Sequence, residues 1–75
     1  MLKSTTVKID TLISNYLNGN RKDAARQVRA LTRVEIAELL VEHYQTNAGI
    51  AFIGKPDERY GFEQFVIRAL RGWAE

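Results

Sequence analysis

Apolar residues recur at three- and four-residue steps in several separate stretches of this chain, and that spacing predicts helices rather than strands. Ile9, Leu12, Ile13, Tyr16 and Leu17 form one stripe, which predicts a first helix over about Thr6 to Asn18. Gly19 is placed to end it, because glycine enters the left-handed cap conformation without steric cost. Asn20 is placed to cap the next helix, so Asn18-Gly19-Asn20 reads as a tight helix–helix turn. Asn-Gly also suits a β-hairpin, but the flanks have helical period and do not alternate. The second helix is expected over about Arg21 to Ala30, with Ala24, Ala25, Val28 and Leu31 on its apolar side. These residues are mostly small. They let a neighbouring helix approach closely but bury little area.

A helix start is written into Leu31-Thr32-Arg33-Val34-Glu35-Ile36. Thr32 can accept from the N–H three residues on, and Glu35 can reach back to the N–H of Thr32, with Leu31 and Ile36 at the positions of a hydrophobic staple. The third helix is expected over about Arg33 to Gln45. Its inner face is read as Ile36, Leu39, Leu40 and Tyr44, widened by Val34, Ala37 and Val41, with Glu35, Glu38 and Glu42 along the outer side. Asn47, Gly49, Gly54 and Pro56 then punctuate a segment where regular helix is not expected. Inside it, Ile50-Ala51-Phe52-Ile53 is too apolar for an ordinary solvent-facing loop. It reads as a short buried strand, a hydrophobic plug or a patch that a partner covers. The last helix is expected to start between Asp57 and Gly61 and to run to about Trp73, on a stripe of Phe62, Phe65, Val66, Ala69, Leu70 and Trp73.

Length sharpens this picture. The chain has 75 residues and no cysteine. A domain of that size buries only about 60% of the surface its unfolded chain exposes, and neither a disulfide nor a cysteine-based zinc site can help it. Close helix packing or self-association is left. The expectation is an all-α single domain over residues 1–75, with the first, third and fourth helices making the main core and the second presenting a basic outer face. Small size and apolar excess favour a homodimer. Met1 leads into Ser4-Thr5-Thr6 with no apolar run behind it, so no signal peptide is expected. No apolar run reaches the roughly 20 residues of a membrane span. A soluble, cytoplasmic protein is expected.

Net charge is only +2, but it is distributed unevenly. Between positions 21 and 33, Arg21, Lys22, Arg26, Arg29 and Arg33 oppose Asp23, net +4. Between 34 and 63, Lys55 and Arg59 oppose Glu35, Glu38, Glu42, Asp57, Glu58 and Glu63, net −4. Such a dipole suits an anionic partner or a head-to-tail contact with a second copy. Lys22, Arg26, Arg29 and Arg33 follow one another at steps of four, three and four, which places them on one side of the second helix. Arginine suits phosphate because its planar fork makes paired hydrogen bonds.

Leu31-Thr32-Arg33-Val34-Glu35-Ile36-Ala37-Glu38-Leu39-Leu40 resembles the first helix of a helix-turn-helix. That motif needs a tight turn and a recognition helix next. Here Val41-Glu42-His43-Tyr44 continues the helix, and no base-reading residue is assigned.

Other chemistries find little support. His43 is the single histidine, with no second one to complete a metal site, and is read as a surface or half-buried structural residue. Glu35, Glu38 and Glu42 are read as a solvated acidic face, since hard-cation ligands usually come from loops with mixed oxygen donors. No histidine or lysine is placed to activate a serine or threonine. Gly54-Lys55 lacks the spacing and the following Ser/Thr of a phosphate loop. No catalytic residue, metal or cofactor is expected, and the chain is read as non-enzymatic. The leading expectation is a nucleic-acid-associated accessory or regulatory protein that contacts phosphates through Lys22, Arg26, Arg29 and Arg33. The alternative is a protein-interaction module, a small inhibitor or adaptor. It would act through Ile50, Phe52, Ile53 and Tyr60 together with the acidic face.

Overall fold

A glycine cap, a capping box and a proline start divide the chain into its helices. The computed structural model describes residues 3–72. Among them are four α-helices, two 3-10 turns and no strand, in the order α1 (Lys3–Leu17), α2 (Arg21–Arg29), α3 (Arg33–Glu42), the turns His43–Gln45 and Gly49–Phe52, and α4 (Pro56–Leu70). This is the all-α class that the apolar spacing predicts. No described helix is long and apolar enough to cross a membrane.

Gly19 ends α1 at φ +88°. The Asn20 N–H bonds the Asn15 carbonyl at 2.8 Å and the Gly19 N–H bonds that of Tyr16 at 3.2 Å, the paired bonds of a Schellman cap. Asn20 does precede α2, but its side chain makes no capping hydrogen bond, contrary to expectation. At α3 the capping box is complete. Glu35 N donates to Thr32 Oγ1 at 3.2 Å, and Thr32 N donates to Glu35 Oε1 at 2.9 Å. α4 starts at Pro56, before the expected Asp57–Gly61 window. Proline's missing N–H costs nothing at a first helical position, and Asp57 and Glu58 favour the positive helix end. Trp73 lies outside the described residues.

The core corrects the expected assembly. α1 supplies Ile9, Leu12 and Ile13, and α4 supplies Phe62, Phe65, Val66 and Ala69. Between them lies α2, which buries Ala24, Ala25 and Val28 and packs on both neighbours. α2 is therefore a core helix with a basic outer side, because its small residues permit close approach on both flanks. α3 contributes one fully buried apolar side chain, Leu39. Leu39 faces inward as expected, but the edges of the helix's apolar face are displaced: Glu35 is buried, while Val34 is 68% and Val41 61% exposed. Tyr44 is also exposed, and Ile36 and Leu40 are half-buried. The cause is the second carboxylate oxygen of Glu35. Glu35 Oε2 accepts from Lys8 Nζ at 3.0 Å and from Thr5 Oγ1 at 3.5 Å on α1. Pinning Glu35 against α1 turns Leu39, one helical turn later, inward. It turns Val34, Ala37 and Val41 out.

The expected third helix gives way at His43 to a 3-10 turn, and the punctuated segment is held by one hydroxyl. Thr46 is buried; its Oγ1 donates to the His43 carbonyl at 2.8 Å and accepts from Gly49 N at 2.9 Å. Gly49 lies so close to the His43 carbonyl that a β-carbon there would collide with it. The Ala48 N–H donates to Asp10 Oδ1 of α1, anchoring the segment to the bundle. Ile50–Ile53 is neither strand nor wholly buried. Phe52 plugs the core, while Ile50 and Ile53 face outward.

Because the Thr32–Glu35 box both starts α3 and orients the carboxylate that Lys8 and Thr5 hold, Thr32→Ala should destabilise the protein by about 1 kcal/mol. Urea unfolding followed by circular dichroism checks this; a midpoint equal to wild type would show that the box carries no net stability.

Candidate functional site

Lys22, Arg26 and Arg29 project from the side of α2 opposite Ala24, Ala25 and Val28. Arg33 is the first residue of α3, so the basic series crosses the Ala30–Thr32 turn rather than lying on one helix as the spacing suggested. All four are exposed. Asp23 pairs with Arg26 at 3.6 Å, with both side chains largely in solvent. Such a pair is worth at most about 1 kcal/mol and yields readily to a stronger anion.

Two further guanidiniums lie where the sequence reading placed no site. Arg21 sits 4.2 Å above the Tyr16 ring and 5.9 Å from that of Phe65. It donates from Nε to the Tyr16 carbonyl at 3.4 Å. Arg68 of α4 lines the same cleft of about 380 Å³, together with Tyr60, Gly61 and Gln64. Arg21 is off the helical register of the Lys22 series, and Arg68 is far away in sequence. Neither periodicity nor charge counting could unite them.

The residues of the alternative reading separate. Ile50, Ile53 and Tyr60 are exposed, but Phe52 is 3% exposed and offers nothing to a partner. A second cleft of about 420 Å³ is lined by Tyr44, Phe52, Ile53, Lys55, Pro56 and Arg59. The acidic face does not form as expected. Glu35 is engaged with Thr32, Lys8 and Thr5, and Glu38 and Glu42 are half-buried. Hydrogen bonds from the Thr32 backbone and from Lys8 hold the Glu35 carboxyl below its ordinary value. Among the described residues no group of acidic or histidine side chains could hold a metal ion.

His43 is fully buried, deeper than a surface or half-buried role implies. Its ring lies 5.5 Å from Phe52 and 5.3 Å from Phe62. Nδ1 is 2.7 Å from the Leu39 carbonyl, which can only accept, so Nδ1 carries the proton and Nε2 is the bare nitrogen. Nε2 is buried with no hydrogen-bond partner. Burial pushes the pKa of His43 down; the Leu39 carbonyl opposes this, Arg59 adds to it and Glu63 opposes it. The geometry is that of a neutral packing histidine.

Compared with protein-family models, curated proteins and solved structures, the chain matches none. The functional reading rests on the side chains themselves.

A histidine pKa depressed in the folded state means that the unfolded chain binds the proton more readily. The stability His43 lends is complete above the unfolded value, about 6.5, and is lost as pH falls below it toward the lower folded value. The thermal midpoint should therefore decline from about pH 6.5 downward, before the carboxylates titrate. In His43→Asn, whose amide can still donate to the Leu39 carbonyl, this decline should vanish. A wild-type midpoint flat between pH 7 and pH 5 would contradict the assignment.

Proposed function

We propose that this protein is a non-catalytic, nucleic-acid-associated accessory or regulatory protein that contacts phosphates through α2 and the start of α3. The observation that carries this reading is the solvent exposure of Lys22, Arg26 and Arg29 on the outer side of α2, whose inner side is buried, continued by exposed Arg33 at the start of α3. None of the four side chains contributes to the core, and all four lie at the surface where an anion can reach them. Contacts of this kind position a protein on the backbone and carry no sequence information.

Binding of a mixed-sequence duplex should weaken steeply with salt. Four phosphate contacts give a slope of log K against log salt near −4 × 0.9, roughly −3.6. Arg26→Glu/Arg29→Glu should abolish binding and leave the helical circular dichroism intact. No binding by the wild type at low salt would refute the reading.

The exposed Ile50 and Ile53 favour a second reading, a protein-interaction module whose simplest partner is a second copy. Single exposed apolar residues are ordinary on small proteins, but these two flank a buried anchor, Phe52, and Ile53 borders a cleft. The variant that tests this is Ile50→Asp/Ile53→Asp, because Phe52→Asp would destroy the core. Sedimentation should give a dimer for wild type and a monomer for the variant; a wild-type monomer at high concentration would discard self-association.

A further inference from the structure

Gly61 is at odds with its surroundings. It lies well inside α4, where glycine costs roughly 0.5–1 kcal/mol relative to alanine. Its φ is not positive, so the backbone does not require glycine there. Close packing does not require it either: a β-carbon on Gly61 would meet only the Tyr16 hydroxyl, at 4.0 Å, an ordinary contact. What a larger side chain would occupy is the cleft between α4, the end of α1 and the first turn of α2.

The groups around that opening are chemically consistent with one another. Arg21 and Arg68 bring two guanidiniums, and among the described residues no carboxylate lines the cleft. Arg21 is held in place by the Tyr16 ring and its carbonyl, which leaves the forked Nη groups for an outside acceptor. Tyr60 is 63% exposed and offers a flat π-face beside the opening. Gln64 adds an amide that can both donate and accept. Cation, aromatic face and amide around a small cleft match an unstacked nucleotide, whose phosphate, base face and base edge need these three groups.

We propose that this cleft holds one nucleotide of a single-stranded nucleic acid, with its base on Tyr60, its phosphate on Arg21 and Arg68, and the missing side chain of Gly61 making the space. The proposal rests on the phosphate-contact reading and deepens it, since Arg21 directly precedes Lys22 on α2. The basic series alone would grip any duplex. The cleft accepts a base only when it is free of its partner strand, so it gives a preference for single strands.

Fluorescence anisotropy with a labelled oligothymidylate and a duplex of equal length tests this. Tyr60→Ala removes the stacking face, and Gly61→Gln, a good helix former, fills the cleft without altering charge. Each should weaken single-strand binding by roughly 5- to 100-fold, the range that stacking of one base supports, and leave duplex binding within about twofold. If both variants bind the single strand as wild type does while Arg26→Glu/Arg29→Glu still loses the duplex, the cleft assignment is overturned and the basic-face reading stands. If the cleft variants lose the single strand but Arg26→Glu/Arg29→Glu leaves duplex binding intact, the cleft is supported and the basic-face reading fails. A free nucleoside monophosphate that binds more tightly than the oligomer would overturn the strand assignment.

Discussion

Phe62 is the point at which the separate parts of this chain are joined. Its ring meets Tyr16 of α1 edge-on at 5.1 Å, stacks on Phe52 at 5.0 Å and lies 5.3 Å from His43. One α4 side chain thus touches α1 and both 3-10 turns. In a domain that buries so little of its surface, aromatic rings are an effective means of linking elements, because each covers a large area and aromatic pairs add about 0.5–1.5 kcal/mol beyond burial. The irregular segment is part of this arrangement. Thr46 and Gly49 shape a turn tight enough to deliver Phe52 onto Phe62 and His43. Without that turn the ring pair would have no third side.

The polar counterpart is Glu35. One oxygen completes the start of α3 and the other is held by α1. Local and tertiary demands are met by a single carboxylate, and the orientation of α3 follows. The consequence is an outward apolar strip of Val34, Ala37 and Val41 and an inward turn of the acidic residues. The amphipathic face of the helix is shifted at its edges by two hydrogen bonds to its neighbour, while Ile36, Leu39 and Leu40 stay on the inner side.

The basic residues are arranged in the opposite manner. α2 is inserted between α1 and α4 on alanine and valine, so its charged side chains are left on the outside by exclusion. The same insertion carries Arg21 over Tyr16 and toward Arg68. The packing that builds the core therefore also brings two guanidiniums to the lining of a cleft that no single helix contains. The proposed phosphate face and the proposed nucleotide cleft adjoin at the first turn of α2, where Arg21 precedes Lys22.

Local chemistry was legible in the residues. The Gly19 cap, the Thr32–Glu35 box, the apolar stripes of α1 without exposed Leu17 and of α4 without exposed Leu70, and the exposed Lys22, Arg26 and Arg29 on α2 depend on neighbours within four or five positions, and helical geometry converts such spacing directly into contacts. The faces of α3, the central place of α2, the complete burial of His43 and the division of Ile50–Ile53 into one buried and two exposed large side chains were not legible. Each depends on which atoms of a distant element lie opposite: Lys8 and Thr5 for Glu35, and Phe62 for Phe52 and His43. The cleft at Gly61 belongs to the same group, since Arg21 and Arg68 come to one cleft only in the packed bundle. Sequence determined the helix ends that a local cap fixes, at Gly19 and at Thr32, because those are decided within one turn of chain, whereas it missed the start of α4 at Pro56 and the end of α3 at Glu42. Tertiary structure decided which side of each helix faces inward, because a buried hydrogen bond or ring contact outweighs the modest moment of a short helix.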